Sequence, residues 1–384
     1  MEEIKSYKAE DLFKWITDKN EDFTILDVRN EEEFAKFKVE APFVKPVNVP
    51  YIDFTLDEEG SFDKVPKDKK FRVVCSKEGS AKYVAEILAN HGVKDVAYLE
   101  AGIKSWGNLL MPKLVNPGGG ADYALYQFIR PGKGSCSYGL IYKGEMFVFE
   151  ASRNVDFYKN FAKEQNCRIT RVFDTHLQAD FISGSRQLAA DTGAEITVNP
   201  IDFEGAGFNF TPVKEGDKIT FSHEAGGPVV EIIHTPGHTP GSTSYLIDGR
   251  YLLSGDTVFI SSVGRPDLGG MVEEWAKMLF NTLKNKIAKQ DDNLLILPTH
   301  YLDWTEANED YIFMKTLREI KERNAHIYGI EQEEAFVRFI KDNMRDQPES
   351  YAKIRLFNKG LEDVAPDDQE ILDIGKHECA ASTH

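Results

Sequence analysis

The sequence predicts a small parallel α/β domain followed, beyond a proline- and glycine-rich joint, by a second domain whose strands deliver polar residues to one sheet edge. Residues 1 to about 110 alternate short apolar runs with amphipathic ones, the pattern of strand–helix units around a parallel sheet. "GNLLMPKLVNPGGGADY" then gathers Pro112, Pro117 and three glycines, 118 to 120, a composition that marks a boundary. Beyond it, four apolar runs end in polar residues: "VFDTHLQADFI" at His176, "VVEIIHTPGHTPGS" at His234 and His238, "RYLLSGDTVFI" at Asp256, and "NLLILPTHYL" at His300. The boundaries expected are 1–112, a linker over 113–121, and 122–384.

In the first domain, "YKAEDLFKWITDK" has apolar residues at helical spacing and "FTILDV" is a continuous buried strand. "NEEEFAKF" opens with Asn30 as N-cap before an acidic first turn. "FRVVC" is a second buried strand ending at Cys75, and "SAKYVAEILANHG" is an amphipathic helix stopped by Gly92. "VAYLEAGIKSW" adds a strand and a turn. Cys75 thus sits at a strand end, with the loop Ser76, Lys77, Glu78, Gly79 and Ser80 leading into a helix. Loop and helix N–H groups there stabilise a thiolate, aided by Lys77 and opposed by Glu78. Free cysteine is also among the most buried residue types, so spacing alone leaves a reactive and an inert thiol equally open.

The second domain starts with "YALYQFIR" and with "SCSYGLIYKGEMFVFEAS", two strands about a Lys-Gly turn. "DFYKNFAKEQN" and "DFISGSRQLAADTG" supply helices on either side of the His176 segment. "GDKITF" and the His234 run open the second half, and prolines 236 and 240 with glycines 237 and 241 form the tight loop that presents His238. His234 reads as structural. From about 306 the chain turns helical, in "EANEDYIFMKTLREIKER" and again in "EEAFVRFIKDN". The tail, broken by Pro and Gly and free to wrap over the site, carries His377 and Cys379; a plain tail outweighs a metal or redox role for them. His91, His223, His326 and His384 join no constellation.

Composition bounds the function. Hydrophobic residues at 41% and charged ones at 28% suit a folded chain of 384 residues with two or three cores. The net charge of −17 opposes nucleic-acid binding. No apolar stretch is long enough for a membrane span, and "MEEIKSYKAEDLF" lacks the features of a signal peptide, so a cytoplasmic location is expected. Four cysteines (75, 136, 167 and 379) suggest thiols and not a disulfide framework, with 136 and 167 structural. Buried histidines are commonly ordinary core or cap residues, but strand ends carrying His, His, Asp and His in one chain make a metal site the leading hypothesis.

These segments resemble the metallo-β-lactamase superfamily, whose signature is H-x-H-x-D-H followed by single His, Asp and His positions. Here it reads His176, Gln178, Asp180, Phe181, then His238, Asp256 and His300. The resemblance implies an αββα sandwich. Gln178 and Phe181 replace two of the usual histidines, which argues against two zinc ions. His176, His238 and Asp256 survive, the two-imidazole, one-carboxylate set used by non-haem Fe(II) oxygenases. "GDTVFISSVGRPDLGG" further resembles the persulfide dioxygenase branch, which implies one Fe(II) per chain, in preference to zinc, on those three residues. It departs from that branch in lacking the second His and in reading "THYLDW" where H-D-Y is usual. Asp180 then fixes an imidazole or a water, His300 contacts substrate or water, and Arg265 pairs with an anionic group of the thiol carrier.

In the first domain "ILDVRNEEEF", "PVNVPYIDF", the Cys75 loop and "YLEAGIKSW" resemble, in order, the landmarks of a rhodanese domain. It departs from them in "FKVEAP", where H-I-x-G-A is usual, and in a loop without arginine. This resemblance implies sulfur transfer through a Cys75 persulfide. Together the two imply oxidation of a low-molecular-weight thiol persulfide by O2 to sulfite, coupled to rhodanese exchange with thiosulfate. The implied partners are that persulfide, thiosulfate or sulfite, and O2, without nucleic acid or membrane; a homo-oligomer is left open. Two rivals stand beside this reading. One is a mononuclear zinc thioester hydrolase resembling glyoxalase II, and the other a sulfur-carrier module with a vestigial metal site.

Overall fold

Buried apolar runs set the strand pairing in both halves of the chain. The computed structural model describes residues 4–67, 69–117, 122–222, 226–267 and 269–381. Glycines 118–120 of the joint, His223 and His384 lie outside these. The chain divides into two units: residues up to Met111 with 130–133 and 374–376, and the remainder.

In the first unit Lys5–Tyr7, Val96–Leu99, Lys70–Val74, Phe23–Asp27 and Val47–Asn48 lie side by side in that order, all parallel. Phe23–Asp27 is buried at every position, as a strand covered on both faces must be. Asn30 caps the helix Glu31–Lys36, its side chain accepting from Glu33 N at 2.8 Å. Lys70–Val74 occupies the middle of the sheet, so the next residue, Cys75, emerges at the carboxyl edge before the helix Gly79–Asn90. Leu26, Phe71, Val73, Val84 and Leu88 make the core beneath it.

The second unit is built on two sheets flanked by helices. One has seven strands in the order Thr211–Pro212, Glu195–Val198, Arg168–Phe173, Glu145–Phe149, Ser135–Tyr142, Ala124–Arg130 and Met111–Leu114. The expected Lys143-Gly144 turn joins two of them, with φ of 43° and 81° as a tight hairpin requires. The other has six strands, Lys218–Ile219, Val230–His234, Thr243–Ile247, Tyr251–Gly255, Leu295–Pro298 and Lys315–Thr316. Val230–His234, Tyr251–Gly255 and Leu295–Pro298 run in the same direction, so their ends reach one edge. Thr243 N donates to Thr175 O at 2.8 Å and Tyr245 Oη to Asp174 O at 2.7 Å, tying the loop after Phe173 of the first sheet to the second.

One expected helix starts late. Of "EANEDYIFMKTLREIKER" only Leu317–Arg323 is α-helical; before it come a 3₁₀ turn, Trp304–Glu306, and the strand Lys315–Thr316 paired to Leu295 and Ile296. Tertiary contacts override the helical spacing. Phe313 stacks on Tyr301 with centroids 3.5 Å apart, and its N–H donates to Gln127. A capping box then starts the helix, with Thr316 N donating to the Glu319 carboxylate at 2.8 Å and Glu319 N to Thr316 Oγ1 at 3.3 Å. Thr316→Ala should therefore lower stability by about 1 kcal/mol. A reduced urea midpoint with unchanged m-value is the measurement that checks it.

Candidate metal centre and thiol site

Three strand-end loops bring His176, His238 and Asp256 together, all 2% exposed or less. His176 follows Arg168–Phe173, His238 lies in the loop after Val230–His234, and Asp256 directly follows Gly255. Gly255 has φ of +57°, and a Cβ there would meet Thr175 Oγ1 at 2.6 Å, so the turn that aims Asp256 needs glycine. Asp202 anchors the His238 loop. Its carboxylate accepts from Thr239 Oγ1 (2.6 Å), Gly241 N (2.7 Å) and Leu177 N (3.2 Å), linking that loop to the His176 segment.

The metal-facing atoms have no other occupation. His176 Nε2, His238 Nε2 and Asp256 Oδ2 are buried and take no hydrogen-bond partner among the described residues. Asp256 Oδ2 lies 3.5 Å from His238 Nε2 and 3.9 Å from His176 Nε2, and the two rings meet edge to face. Ligands on one cation at ordinary bond lengths lie roughly 3–3.5 Å apart, so the set fits a single ion after small adjustment. The imidazoles are oriented through their other nitrogens. His238 Nδ1 donates to Arg265 O at 2.8 Å, leaving the Nε2 lone pair for a metal, and His176 Nδ1 meets Thr175 Oγ1 at 2.8 Å. Burial, then His238, lowers the His176 pKa to about 3 against the pull of Asp256 and Asp180, so the ring is neutral at pH 7. Burial would raise the Asp256 pKa, but His300, His176 and His238 outweigh it and hold the carboxyl well below the usual range.

His300 does not join these three. Its Nδ1 lies 2.8 Å from Asp256 Oδ1 and its Nε2 2.9 Å from Asp180 Oδ2, at full burial. Burial favours the neutral ring, yet the two carboxylates prevail and push its pKa up to about 10. Asp180, for which the sequence suggested a hold on a ligand imidazole or a water, instead faces the His300 imidazole. A contact of His300 with substrate, the sequence-based expectation, is replaced by this bridge between carboxylates. The tail supplies what the sequence undervalued. His377 stacks on His300 with centroids 4.3 Å apart, and nitrogens of both lie within 4.8 Å of Cys379 Sγ. Cys379 is held there by Arg265 N donating to its carbonyl (2.8 Å) and by a bridge between Gly264 and Ala380. This trio makes a poor second cation site: His377 Nε2 meets Tyr301 O at 2.9 Å and its Nδ1 accepts from Cys379 N at 3.3 Å. Burial, then Asp180 and Asp256, keeps the Cys379 thiol protonated.

The replaced positions are filled by structure. Gln178 is 1% exposed and its amide donates to Glu150 Oε2, while Thr175 N donates to Glu150 Oε1. Phe181 packs 6.1 Å from the His300 ring. Asn358, from the helix Ser350–Asn358, donates to Gln178 O (3.0 Å) and Phe181 O (2.9 Å) and accepts from Ser183 N (2.9 Å). Sequence reasoning missed Glu150 and Asn358. Glu150 had a visible cue, since it too ends an apolar strand, whereas nothing local marks Asn358.

The expectation for Arg265 is corrected. Arg265 is 3% exposed and doubly bonded to Asp267 at 2.6 Å, with further donation to the carbonyls of Arg345 and Glu378. Its guanidinium is spent on joining the tail and is not offered to a thiol carrier. Gly264 beside it admits no side chain, because a Cβ would stand 1.9 Å from Asp256 O.

Cys75 is separate from this centre in the chain and in its chemistry. It lines a cavity of about 460 Å³ with Ser76 to Ser80, Val28, Arg29, Asn30, Pro50, Tyr51 and Ile52. Burial raises its pKa and outweighs the N–H groups of Ala81, Lys77 and Ser80 that converge on the sulfur; Asp27 adds to the rise. The resting thiol is thus protonated at pH 7, a correction to the thiolate expected from the loop alone. Glu78 does not face the sulfur, since its carboxylate accepts from Ala101 N at 2.7 Å.

Comparison with known proteins agrees with both halves. Residues 8–109 match the rhodanese-like domain model, and 131–314 match that of the metallo-beta-lactamase superfamily. A hydroxyacylglutathione hydrolase of Brucella anthropi is 32% identical over 149 residues, 38% of this chain and 52% of the relative. An uncharacterized protein of Mycobacterium leprae is 36% identical over 90 residues, 23% of this chain and 38% of that protein. The chain thus spans about half or less of the length of these curated relatives. Among solved structures, a metallo-beta-lactamase of Staphylococcus aureus superposes with a TM-score of 0.53 at 26% identity, covering 63% of this chain and 73% of its own. ETHE1 of Myxococcus xanthus gives 0.53 at 23%, covering 62% and 98%, a likeness of fold.

The buried histidines predict how the metal-free protein responds to pH. His176 and His377 have folded pKa values of about 3, below the unfolded value, so the unfolded chain binds more protons between about 6.5 and 3 and stability falls as pH drops through that window. His300, at about 10, works in reverse: its contribution is full below about 6.5 and is lost as pH rises toward 10. Urea midpoints of chelator-treated protein at pH 5, 7 and 9 should peak near neutrality, and His300→Gln should flatten the alkaline side.

Proposed function

Starting from a chain that joins a rhodanese-like domain to a domain of the metallo-β-lactamase superfamily, we propose a persulfide dioxygenase coupled to sulfur transfer. The observation that carries this reading is the ligand set: His176 Nε2, His238 Nε2 and Asp256 Oδ2 converge without a hydrogen-bond partner among the described residues, next to positions where Gln178 and Phe181 replace histidines. Such a set leaves coordination positions open and suits one non-haem Fe(II). Iron bound there supplies the electron transfer by which O2, a triplet, reacts with a sulfur substrate. The balanced reaction is RSSH + O2 + H2O giving RSH, sulfite and two protons. The sulfane sulfur loses four electrons and O2 accepts them.

The protein's own residues have definable parts in this. His238 is turned by the Arg265 carbonyl so that its Nε2 faces the centre, and His176 stays neutral by burial. Asp256 contributes negative charge through Oδ2, while His300 on Oδ1 balances it with Asp180. Phe181 and Phe259, both buried with rings about His300, keep water from this side of the centre. Cys75 takes up and releases sulfane sulfur at its own cavity, exchanging with the carrier thiol and with thiosulfate or sulfite. Four unpaired cysteines favour a reducing compartment such as the cytoplasm. The similarity to a protein named hydroxyacylglutathione hydrolase favours a second reading, a mononuclear zinc hydrolase of thioesters at the same three ligands.

Metal content and O2 uptake separate the two. Anaerobically purified protein should hold one iron per chain and consume O2 with a preformed persulfide, releasing sulfite. His238→Ala should lose the iron and the oxidation while retaining Cys75-dependent sulfur transfer, and Cys75→Ser should do the reverse. Two stoichiometric metals, or thioester hydrolysis without O2 uptake, would rule the dioxygenase out. Loss of persulfide oxidation in Cys75→Ser with iron still bound would make the two sites interdependent.

A further inference from the structure

We propose that, between the two sulfur donors named above, the Cys75 cavity favours an organic persulfide or its thiol over thiosulfate. This rests on the reading of Cys75 as a sulfur-transfer thiol and names the substrate class. A dianion needs cations at the cavity wall, and the wall has little to offer. Arg29 is 7% exposed, with Nε at 3.0 Å and Nη2 at 2.6 Å from the Asp27 carboxylate and the other donations made to the carbonyls of Glu33 and Phe37. Its charge is neutralised and its donors face inward. Lys77 is then the one ammonium of the lining, and two carboxylates offset it. Glu78 lies in the loop, and Glu33 reaches its edge, where Ser76 Oγ donates to it at 3.3 Å.

Apart from Asn30, Ser76 and Ser80, the remaining wall is largely apolar. Val28, Pro50, Tyr51 and Ile52 form the side facing the Cys75 loop, and Ile52 is 56% exposed at the mouth. Tyr83, 40% exposed, packs edge to face on Tyr51 at 5.5 Å and extends this surface outward. A cavity of about 460 Å³ is far roomier than an inorganic anion needs, and falls within the size range of small-molecule sites. The N–H groups of Lys77, Ser80 and Ala81 meet the sulfur itself, so the anionic end of a persulfide has a place while its carbon body lies on the apolar side.

The step balances without an added oxidant. Cys75 Sγ, as thiolate, attacks the sulfane sulfur of R–S–SH. A Sγ–S bond forms, the RS–S bond breaks, and the electron pair leaves with the carrier sulfur, which takes up the proton lost by Cys75. The reverse step loads a carrier thiol.

The test uses the full-length reduced protein and two donors, benzyl persulfide, whose carbon body is uncharged, and sodium thiosulfate, with intact-mass spectrometry timing the gain of one sulfur atom. The persulfide should load Cys75 at least about tenfold faster than thiosulfate. Ile52→Gln, a neutral change at a position 56% exposed, should cut the persulfide rate by about tenfold, the usual effect of losing one apolar contact. It should leave the thiosulfate rate within about twofold. Glu33→Gln should raise the thiosulfate rate and leave the persulfide rate unchanged. Faster loading by thiosulfate, or an Ile52→Gln protein that discriminates as the wild type does, overturns the inference while Cys75 keeps its role. If neither donor loads Cys75, or if Cys75→Ser gains sulfur equally well, the sulfur-transfer reading fails with it.

Discussion

Two imidazole nitrogens and one carboxylate oxygen, buried together without a hydrogen-bond partner among the described residues, are the constraint on which the second domain depends. A buried polar atom without a partner costs about 1–3 kcal/mol, and more where it is charged. Three at one point are therefore expensive to hold in place, and the fold pays that cost with strands that end together, a glycine turn before Asp256, and the Asp202 anchor under the His238 loop. A cation at the point of convergence removes the penalty, so metal affinity and folding stability are coupled here.

Under the proposed one-metal reading, charge balance around Asp256 gives the reason that one such point would suffice. Its second oxygen is occupied by His300, whose other nitrogen faces Asp180. An imidazolium between two carboxylates provides positive charge where a second metal ion would otherwise be needed. The tail completes the enclosure. Arg265, Asp267 and the 377–381 segment bind one another through side-chain and backbone hydrogen bonds, and the carbonyl of that same Arg265 sets the tautomer of His238. A side chain that the sequence offered as a substrate contact thus serves as a brace for the metal ligand's surroundings.

Much of this was legible before any coordinates. Short apolar runs located the strands and 3.6-residue spacing the helices, and strand ends with polar residues pointed to His176, His238, Asp256 and His300, because the ends of like-directed strands must share an edge. What was not legible depended on distant contacts. The segment before Leu317 has helical spacing, but pairing with Leu295 and stacking on Tyr301 hold it extended. Asp267 stands two positions from Arg265, but the carbonyls of Arg345 and Glu378 that take up the rest of its guanidinium become neighbours only on folding. The spacing of His377 and Cys379 was apparent, whereas their arrival beside His300 follows from a bridge to Gly264 that no local pattern encodes. At Cys75 the loop N–H groups were expected and are present, yet burial decides the protonation of the resting thiol.

X-ray absorption at the iron edge of anaerobically loaded protein tests the central claim most directly. The account predicts a shell of nitrogen and oxygen only, with outer-shell scattering from two imidazoles and no metal–metal distance. A sulfur scatterer, a third imidazole, or a metal–metal vector at about 3.5–4 Å would contradict it.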